Sequence, residues 1–465
     1  MAQEIKEEGL IGKTVKEITQ PFKDLFHTSR ALFGLNLSYL IEGFTYFGVL
    51  GYLTLYFNEY VGLNDINAGQ MVGVLTAGIT LSMLFLGATV DWIGLRKSMI
   101  YALIFMFGGR VLISVAPHIG VPGWGNSAHI FAMLGILGIV IGYGIYQPAC
   151  YAGVKKLTNE KTSAMGYAML YALMNLGGFL PGIVAPEVRQ ATSMLTVMWI
   201  YAIFTIVGLG VVYFIITKKA YNKAVEEVKK DSNVQVEEEE TDELSNMSFK
   251  EKVSFYIKNF PLRDLRFLFF IFILIPVQTL FAHNWLTLPA YFKRAFEGTV
   301  SNYFEFFTNF NPVLIFILTP MVTALTSKKD TYKMMIIGTL VMASPTFFLA
   351  TGPSMPAVFA YLIVMSIGEA MWQPRFLQWV AEIAPKNMTG IYMGIGQFPW
   401  FLTKIITSLY SGWFLMHYCP DNTLPSMMNT GTMWLIYGFI AIISPIGLFL
   451  ARGWMQKGFK TKHEA

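Results

Sequence analysis

Apolar segments long enough to cross a bilayer recur along the whole chain, and they constrain its fold more than any other feature. A helix needs about 20 predominantly apolar residues to cross the hydrocarbon core of a membrane. Only 14% of the residues are charged, whereas soluble domains carry about 25%. Backbone polar groups cannot stay unpaired in lipid, so these segments must form helices. We therefore predict an all-α integral membrane protein.

The apolar segments fall into two sets of six, separated by a long charged stretch. We predict an N-terminal six-helix bundle at 31–217, a charged cytoplasmic linker at 218–262 and a C-terminal six-helix bundle at 263–453. Residues 1–30 are either an amphipathic cytoplasmic segment or a loosely ordered tail, and residues 454–465 are a cytoplasmic tail. The predicted spans are 31–58, 66–90, 97–116, 128–154, 163–186, 194–217, 264–291, 303–326, 332–351, 355–383, 389–416 and 431–453.

Basic residues in the loops predict the orientation of these spans. With the N-terminus inside, the outer loops hold little beyond Arg189, Lys293 and Arg294. This bias is the positive-inside pattern, and it places both termini in the cytoplasm of a multi-pass protein. The compact loops favour a bacterial inner membrane. The short inner loops hold Arg96, Lys97, Lys155, Lys156, Lys161, Lys328, Lys329, Lys333 and Lys386.

The loop after the second span carries a motif of specific spacing. Residues Gly87–Lys97 read Gly-Ala-Thr-Val-Asp-Trp-Ile-Gly-Leu-Arg-Lys. This resembles the major facilitator signature Gly-x-x-x-Asp-(Arg/Lys)-x-Gly-(Arg/Lys)-(Arg/Lys), with departures at Trp92 and Leu95. The resemblance implies a twelve-helix fold of two six-helix bundles around a central cavity, with an inner gate at this loop. The candidate gate residues are Asp91, Arg96 and Arg375.

Several separated segments also resemble the proton-dependent oligopeptide transporter family. Glu42–Gly48 is similar to the end of Glu-x-x-Glu-Arg-Phe-x-Tyr-Tyr-Gly, and Gly142–Pro148 is similar to Gly-x-Gly-x-x-Lys-Pro. Further matches are Leu170–Phe179 in span five, Asn311-Pro312 in span eight and Gly368–Pro374 in span ten. They follow the family's order and cover both halves. The resemblance implies proton-coupled symport of di- or tripeptides.

The chain departs from that family at three positions. Tyr39, Gly43 and Gln147 stand where the family has Glu, Arg and Lys. In the family these charges take part in proton coupling and in holding the substrate carboxylate. The resemblance is therefore to a divergent relative, for which the cargo is a peptide or another small zwitterionic or anionic solute.

Two carboxylates near the centres of spans are candidates for proton coupling. A charge at such a depth is costly, so it normally faces a cavity or a partner. Glu42 lies in the first half of the chain and Glu369 in the second. A partly desolvated carboxylate can load and release a proton near neutral pH. The alternative for each is a permanently paired structural carboxylate.

Three basic residues lie at similar depths. Arg110 can grip a carboxylate with two hydrogen bonds, or it can form a structural pair with Glu42. Lys404 and Arg375 occupy spans adjacent to that of Glu369. We expect one of them to pair with Glu369, and the surplus positive charge then favours an anionic or zwitterionic substrate.

Polar and aromatic residues at the same depth complete a candidate pocket. His283 could join a proton relay, although a lone histidine in a helix more often makes an ordinary hydrogen bond. The candidate substrate-binding residues are Tyr39, Tyr46, Arg110, Gln147, Asn175, Gln278, Asn311, Trp372 and Lys404.

The sequence lacks the motifs of the main alternative functions. It has no Gly-x-x-x-x-Gly-Lys-(Ser/Thr) loop, no His-Glu-x-x-His and no Gly-x-Ser-x-Gly. We expect no enzymatic activity, cofactor, metal or nucleic-acid partner; the expected partners of the monomer are a small-molecule substrate, protons and the lipid bilayer. The predicted function is proton-coupled symport, and the open alternatives are a proton-coupled exporter of drugs or metabolites and a non-transporting membrane receptor or scaffold.

Overall fold

The computed structural model describes residues 29–87, 89–158, 160–231, 263–326, 329–383, 395–396 and 398–456. Nearly all of the predicted N-terminal segment, most of the predicted linker and most of the tail lie outside the described residues. Within them the chain is almost entirely helical, as predicted.

Twelve helical spans, α1–α12, follow one another in the described part of the chain. They are α1 Arg30–Glu59, α2 Asp65–Leu86, α3 Leu95–Ile119, α4 Ser127–Leu157, α5 Glu160–Ala191, α6 Met194–Ile215, α7 Leu265–Ile273 with Ile275–Leu286 and Leu288–Ala295, α8 Phe304–Thr308 with Phe310–Thr326, α9 Thr331–Ala343 with Thr346–Leu349, α10 Met355–Ile383, α11 Phe398–Tyr418 and α12 Thr430–Gln456. Short helices Thr89–Ile93 and Thr299–Asn302 lie in connections.

Most of these helices satisfy the requirements for crossing a membrane by length and composition. Among the described residues, ten helices are both long and apolar enough. The remaining two spans are α8, with a shorter apolar stretch at Phe304–Thr319, and α11, which carries Lys404. The predicted all-α membrane fold is confirmed.

Prolines account for the interruptions of α7 and α9. The second and third segments of α7 carry Pro276 and Pro289 at their first turns, and Pro345 precedes the second segment of α9. Proline lacks the N–H that an uninterrupted helix would use, so a new segment begins where it stands.

The spans form two six-helix bundles, α1–α6 and α7–α12, which meet along α1–α7, α2–α11 and α5–α8. Glycine permits the closest of these contacts: a Cβ added at Gly412 of α11 would lie 2.1 Å from the carbonyl oxygen of Asp65 in α2. Following the predicted orientation, we call the face with the α1–α2 and α3–α4 connections the outer face and the opposite face the inner face.

The chain after α6 is more ordered than a linker. Residues Lys218–Asp231, which the sequence assigned to the linker, form a helix that packs against α1 and α4. Ala224 is fully buried there, and Tyr221 and Val225 pack on the core. These three residues share one face of a helix whose other faces are charged, so the helix lies on the inner end of the N-terminal bundle.

Candidate functional site

A buried ion pair occupies the middle of the N-terminal bundle. The guanidinium of Arg110 in α3 donates to both carboxylate oxygens of Glu42 in α1, at 2.5 and 3.0 Å. Both side chains are 1% exposed. Arg110 also donates to Thr205 at 2.6 Å, and Thr45 donates to Glu42 at 3.0 Å. This arrangement is the structural pair that the sequence left open, and it places neither charge at a cavity surface.

Glu369 occupies the corresponding depth in the C-terminal bundle with a different set of partners. It lies at the middle of α10 and is 3% exposed. Asn311 of α8 donates to its carboxylate at 3.0 Å and to Ser366 at 2.9 Å. The helix of Asn311, α8, also packs against α5 of the other bundle. Glu369 therefore lies close to the contact between the bundles.

The expected ion pair of Glu369 with a neighbouring basic residue is wrong. Among the described side chains, neither Lys404 nor Arg375 forms an ion pair with it. The ammonium of Lys404 donates to Thr80 of α2 at 3.0 Å. The guanidinium of Arg375 donates to the carbonyl oxygen of Thr326 at 2.6 Å. Each basic side chain reaches a neutral acceptor on a helix other than α10.

The aromatic candidates of the N-terminal bundle lie together. Tyr39 is buried and stacks on Tyr146, with ring centroids 6.2 Å apart. Gln147 is partly buried and follows Tyr146 directly on α4. Tyr46 lies against Tyr143 at 4.7 Å. These residues connect α1 to α4 within one bundle.

The remaining pocket candidates are dispersed. Asn175 donates to the carbonyl oxygen of Tyr171 in its own helix. Gln278 accepts a hydrogen bond from Thr403 at 3.1 Å, which joins α7 to α11. Trp372 is fully buried and donates to the sulfur of Met342. Of the candidates in the C-terminal bundle, Asn311 is the one in contact with Glu369.

His283 is fully engaged within the C-terminal bundle. Its ring nitrogens lie 2.7 Å from the Thr287 hydroxyl and 3.2 Å from the Tyr410 hydroxyl, and its ring stacks on Tyr437 at 3.9 Å. These contacts are those of an ordinary buried histidine, the alternative that the sequence favoured.

The candidate gate residues lie at the inner ends of the helices. Arg96 donates to the carbonyl oxygen of Tyr213 at 3.2 Å and lies over its ring. This contact joins α3 to α6 within one bundle. The backbone of Asp91 belongs to the short helix Thr89–Ile93, but its side chain lies outside the described part of the chain.

Among the described residues, three ion pairs join the two bundles at the outer face, and the first centres on Glu305 in α8. Its carboxylate accepts hydrogen bonds from Arg189 of α5 and from the hydroxyl of Tyr52 in α1, the latter at 2.5 Å. Glu305 has a side chain 3% exposed, and Arg189 is 18% exposed. Because Arg189 and Tyr52 belong to the opposite bundle, this cluster holds α8 against α1 and α5.

The other two outer pairs use the end of α7. Lys293 contacts Glu59 at the end of α1. Arg294 donates to both carboxylate oxygens of Asp65 in α2, each at 2.8 Å, and to the carbonyl oxygen of Cys419 at 3.1 Å. The bidentate pair of Arg294 with Asp65 is nearly buried, so it is stronger than an exposed ion pair.

The outer ends of the bundles are closed. Between α1, α5, α6 and α8 the described residues leave a cleft too narrow to admit a water molecule. Its lining is Gly48, Gly51, Tyr52, Pro181, Ala185, Tyr201, Glu305, Thr308 and Asn309. Together with the ion pairs, this packing closes the contact between the bundles at the face that we call the outer face.

These three ion pairs were not predicted from the sequence. Their basic residues served there only to predict the orientation of the spans. Each of Arg189, Lys293 and Arg294 pairs with an acid of the opposite bundle. The available signal was that Glu59 and Asp65 also lie at outer span ends, which places them at the same depth as the basic residues.

Glu305→Gln should loosen the outer seam. The substitution preserves shape but removes the charge that holds Arg189, and a hydrogen bond to a charged group is worth about 1.5–3 kcal/mol. In a background with Cys150→Ser and Cys419→Ser, we place a cysteine at Ala185 in the cleft. We expect Glu305→Gln to speed labelling of that cysteine by an impermeant thiol reagent by about tenfold or more.

The matched control for the outer seam is Lys223→Gln, which breaks the exposed pair of Lys223 with Glu227 on the helix after α6. An exposed pair of this kind contributes little, so labelling should stay unchanged. Equal labelling rates in the parent and in Glu305→Gln would show that the ion pair does not hold the outer face closed.

Comparison with known proteins identifies the family to which the chain is similar. A family model described as Major Facilitator Superfamily matches residues 35–408. Solute carrier family 15 member 2 of Danio rerio is 30% identical over 155 residues, which is 32% of this chain and 21% of the relative. Solute carrier family 15 member 1 of Oryctolagus cuniculus is 25% identical over 173 residues, 34% of this chain and 24% of the relative. The matched regions thus span about a quarter or less of these relatives.

Solved structures share the fold over almost the whole chain. A POT family transporter in complex with 5-aminolevulinic acid has a TM-score of 0.66 at 18% identity, covering 92% of this chain and 97% of its own. The peptide transporter POT in complex with sulfate has a TM-score of 0.66 at 17% identity, with coverages of 92% and 95%. A D-xylose-proton symporter has a TM-score of 0.64 at 17% identity, with coverages of 90% and 97%. At these identities the likeness concerns the fold.

Proposed function

The chain belongs to the major facilitator superfamily, and we propose that it is a proton-coupled symporter of a small zwitterionic or anionic solute, with di- and tripeptides as the first candidates. The superfamily match covers residues 35–408, and an arrangement closed at the outer face is one that a carrier working by alternating access would adopt. The sequence resemblance to the proton-dependent oligopeptide transporter family and the fold shared with the peptide transporter POT support peptides as the first cargo to test.

The observation that carries this proposal is the environment of Glu369. A carboxylate buried at the middle of a span is costly when charged. Its hydrogen-bond donor is the neutral amide of Asn311, and none of the cations in the described part of the chain forms an ion pair with it. Glu369 can therefore change its protonation state during a cycle. Glu42 differs from Glu369 in its partners, because Arg110 donates to both of its carboxylate oxygens.

In the proposed cycle, Glu369 takes a proton while the site faces outward and releases it while the site faces inward. The amino end of the cargo would lie on the Glu369 side. Arg110, the residue first considered for the carboxylate end, is held by Glu42 and Thr205 and would have to leave both. We propose that Arg110 and Glu42 stabilise the N-terminal bundle. Near the inner gate we place Asp91, Arg96 and Arg375.

The membrane placement is also proposed. Both termini and the chain between the bundles would lie in the cytoplasm, and the bundles would correspond to residues 31–217 and 263–453. The helix Lys218–Asp231, with its basic residues, supports this orientation because positive charge favours the cytoplasmic side. A monomer in a bacterial inner membrane is the simplest form consistent with these features.

Reconstituted vesicles provide the test of the proposed function. With an acidic exterior and a neutral interior, vesicles that contain the protein should accumulate a radiolabelled dipeptide above its external concentration. A protonophore should abolish that accumulation, because it collapses the gradient. An exporter would require the opposite gradient, and a receptor or scaffold would give no flux in either direction; each of these results would overturn the proposal.

A further inference from the structure

The contact between α2 and α11 is tight toward the outer face. Residues Lys404, Ser408 and Gly412 are spaced by four, so they share one face of α11. A Cβ added at Gly412 would lie 2.1 Å from the carbonyl oxygen of Asp65, and one added at Gly73 would lie 2.1 Å from the Ser408 hydroxyl. The two helices are therefore packed too closely for a side chain at either glycine along this part of the seam between the bundles.

One turn further inward, the same face of α11 carries Lys404 instead of a small residue. Its ammonium donates to the hydroxyl of Thr80, at 3.0 Å. Thr80 in turn donates to the carbonyl oxygen of Thr76 at 3.2 Å. Lys404 is thus a cation in the seam between the bundles, and its hydrogen bond ties α11 to α2.

The charge of Lys404 is not neutralised by this contact. A hydroxyl can accept a hydrogen bond, but it does not offset a positive charge in a low-dielectric setting. Among the described residues, no carboxylate lies within 4.0 Å of the ammonium. An anion in place of the Thr80 hydroxyl would provide the missing charge and a stronger hydrogen bond.

We infer that Lys404 binds the carboxylate of the cargo. This carboxylate displaces the hydroxyl of Thr80 from the ammonium. The inference rests on the proposed function and narrows its substrate class to solutes with a free carboxylate. In the empty carrier, Lys404 joins the bundles through Thr80. A bound carboxylate releases this tie, so the loaded carrier changes conformation more readily than the empty one.

Other basic residues at this depth are already engaged. Arg110 is bound by Glu42 within the N-terminal bundle, and Arg375 donates to the Thr326 carbonyl oxygen. Lys404 differs from them because its described acceptor is a hydroxyl of the opposite bundle. A small anion between the bundles can replace that acceptor without unfolding either bundle.

The test is a binding measurement on the purified full-length protein with two matched pairs of probes: dialanine with dialanine amide, and acetate with acetamide. We expect the parent to prefer the acid in at least one pair by about tenfold or more. Lys404→Met should lose that preference, and Lys404→Arg should retain part of it, because the charge remains.

Thr80→Val is the matched variant on the opposite helix. It removes the hydroxyl that competes for Lys404 and leaves the charge in place. The acid should bind to it at least as tightly as to the parent. A loss of the acid preference in Thr80→Val would overturn the exchange, because the hydroxyl would then belong to the anion site itself.

Two outcomes overturn the carboxylate site. One is an acid preference that survives in Lys404→Met, and the other is a parent that shows no acid preference in either pair. Binding needs no proton gradient, so these outcomes are separate from the vesicle experiment. Gradient-driven uptake with no role for Lys404 would contradict the inference alone, whereas acid binding that depends on Lys404 without uptake would contradict the proposed function alone.

Discussion

Glu369→Gln should abolish proton-driven accumulation of the cargo while sparing exchange of cargo across the membrane. Glutamine keeps an oxygen that can accept the hydrogen bond from Asn311, so the local packing survives. It cannot bind or release a proton, however, and the site stays in its neutral form. Symport requires that proton to enter and leave in every turnover, whereas exchange requires only that loaded carriers change conformation.

The two activities can be measured in the same vesicles. Accumulation is followed with an acidic exterior, and exchange is followed with equal pH on both sides and unlabelled cargo inside. We expect accumulation by Glu369→Gln to fall to the level seen with a protonophore, and exchange to remain within a few fold of the parent. Measuring both activities separates loss of coupling from loss of binding, since a variant that cannot bind the cargo fails in both assays.

Ser366→Ala is the matched control for Glu369→Gln. Ser366 lies one turn before Glu369 on α10 and accepts the second hydrogen bond from Asn311. Its replacement disturbs the same amide but keeps the carboxylate. Accumulation should therefore continue in Ser366→Ala. If Glu369→Gln also continues to concentrate the cargo, another residue must couple the proton, and the proposed role of Glu369 fails.

The fold was accessible from the sequence because the bilayer restricts the alternatives so strongly. A long apolar segment can only be a helix, and loop charges then orient it. The helix Lys218–Asp231 was not predicted, because the same criteria assign a charged segment to a linker. Its apolar residues Tyr221, Ala224 and Val225 are too few to suggest a span, and they become buried only where α1 and α4 provide a surface.

The sequence predicted the depth of the site residues in the membrane but not which residues pair with one another. The positions of Glu42 and Glu369 near span centres were read from the sequence, whereas their partners depend on which helix faces they occupy. Glu369 meets the neutral Asn311 where a cation was expected. Arg189 and Glu305 are separated by 116 positions along the chain, so no local pattern could join them.

Breaking the pair of Glu42 with Arg110 should have the largest effect on stability. Arg110→Met would leave the carboxylate of Glu42 buried without its cation, and such a loss costs about 3–5 kcal/mol. Both side chains are 1% exposed, so water cannot replace the missing partner without entering the bundle. We expect a marked fall in thermal stability in detergent and a loss of monodisperse protein on size exclusion.

The double variant Glu42→Met/Arg110→Met should recover most of that stability. It removes both charges together, and replacing a buried ion pair by apolar residues of similar volume is often neutral or better. The hydroxyls that contact the pair keep acceptors of their own, because Thr205 also donates to the Tyr201 carbonyl oxygen and Thr45 to that of Glu42. Few polar groups are therefore left unpaired.

The double-mutant cycle of Glu42 and Arg110 also decides between the two roles considered for Arg110. If Arg110 and Glu42 act on each other, the two single variants and the double variant should show a large coupling in stability. If Arg110 instead holds the cargo, Arg110→Met should weaken binding at unchanged stability, and the double variant should not restore anything. Recovery of both folding and cargo binding in the double variant would place the pair in the scaffold, which leaves Glu369 and Lys404 as the charges that act on proton and cargo.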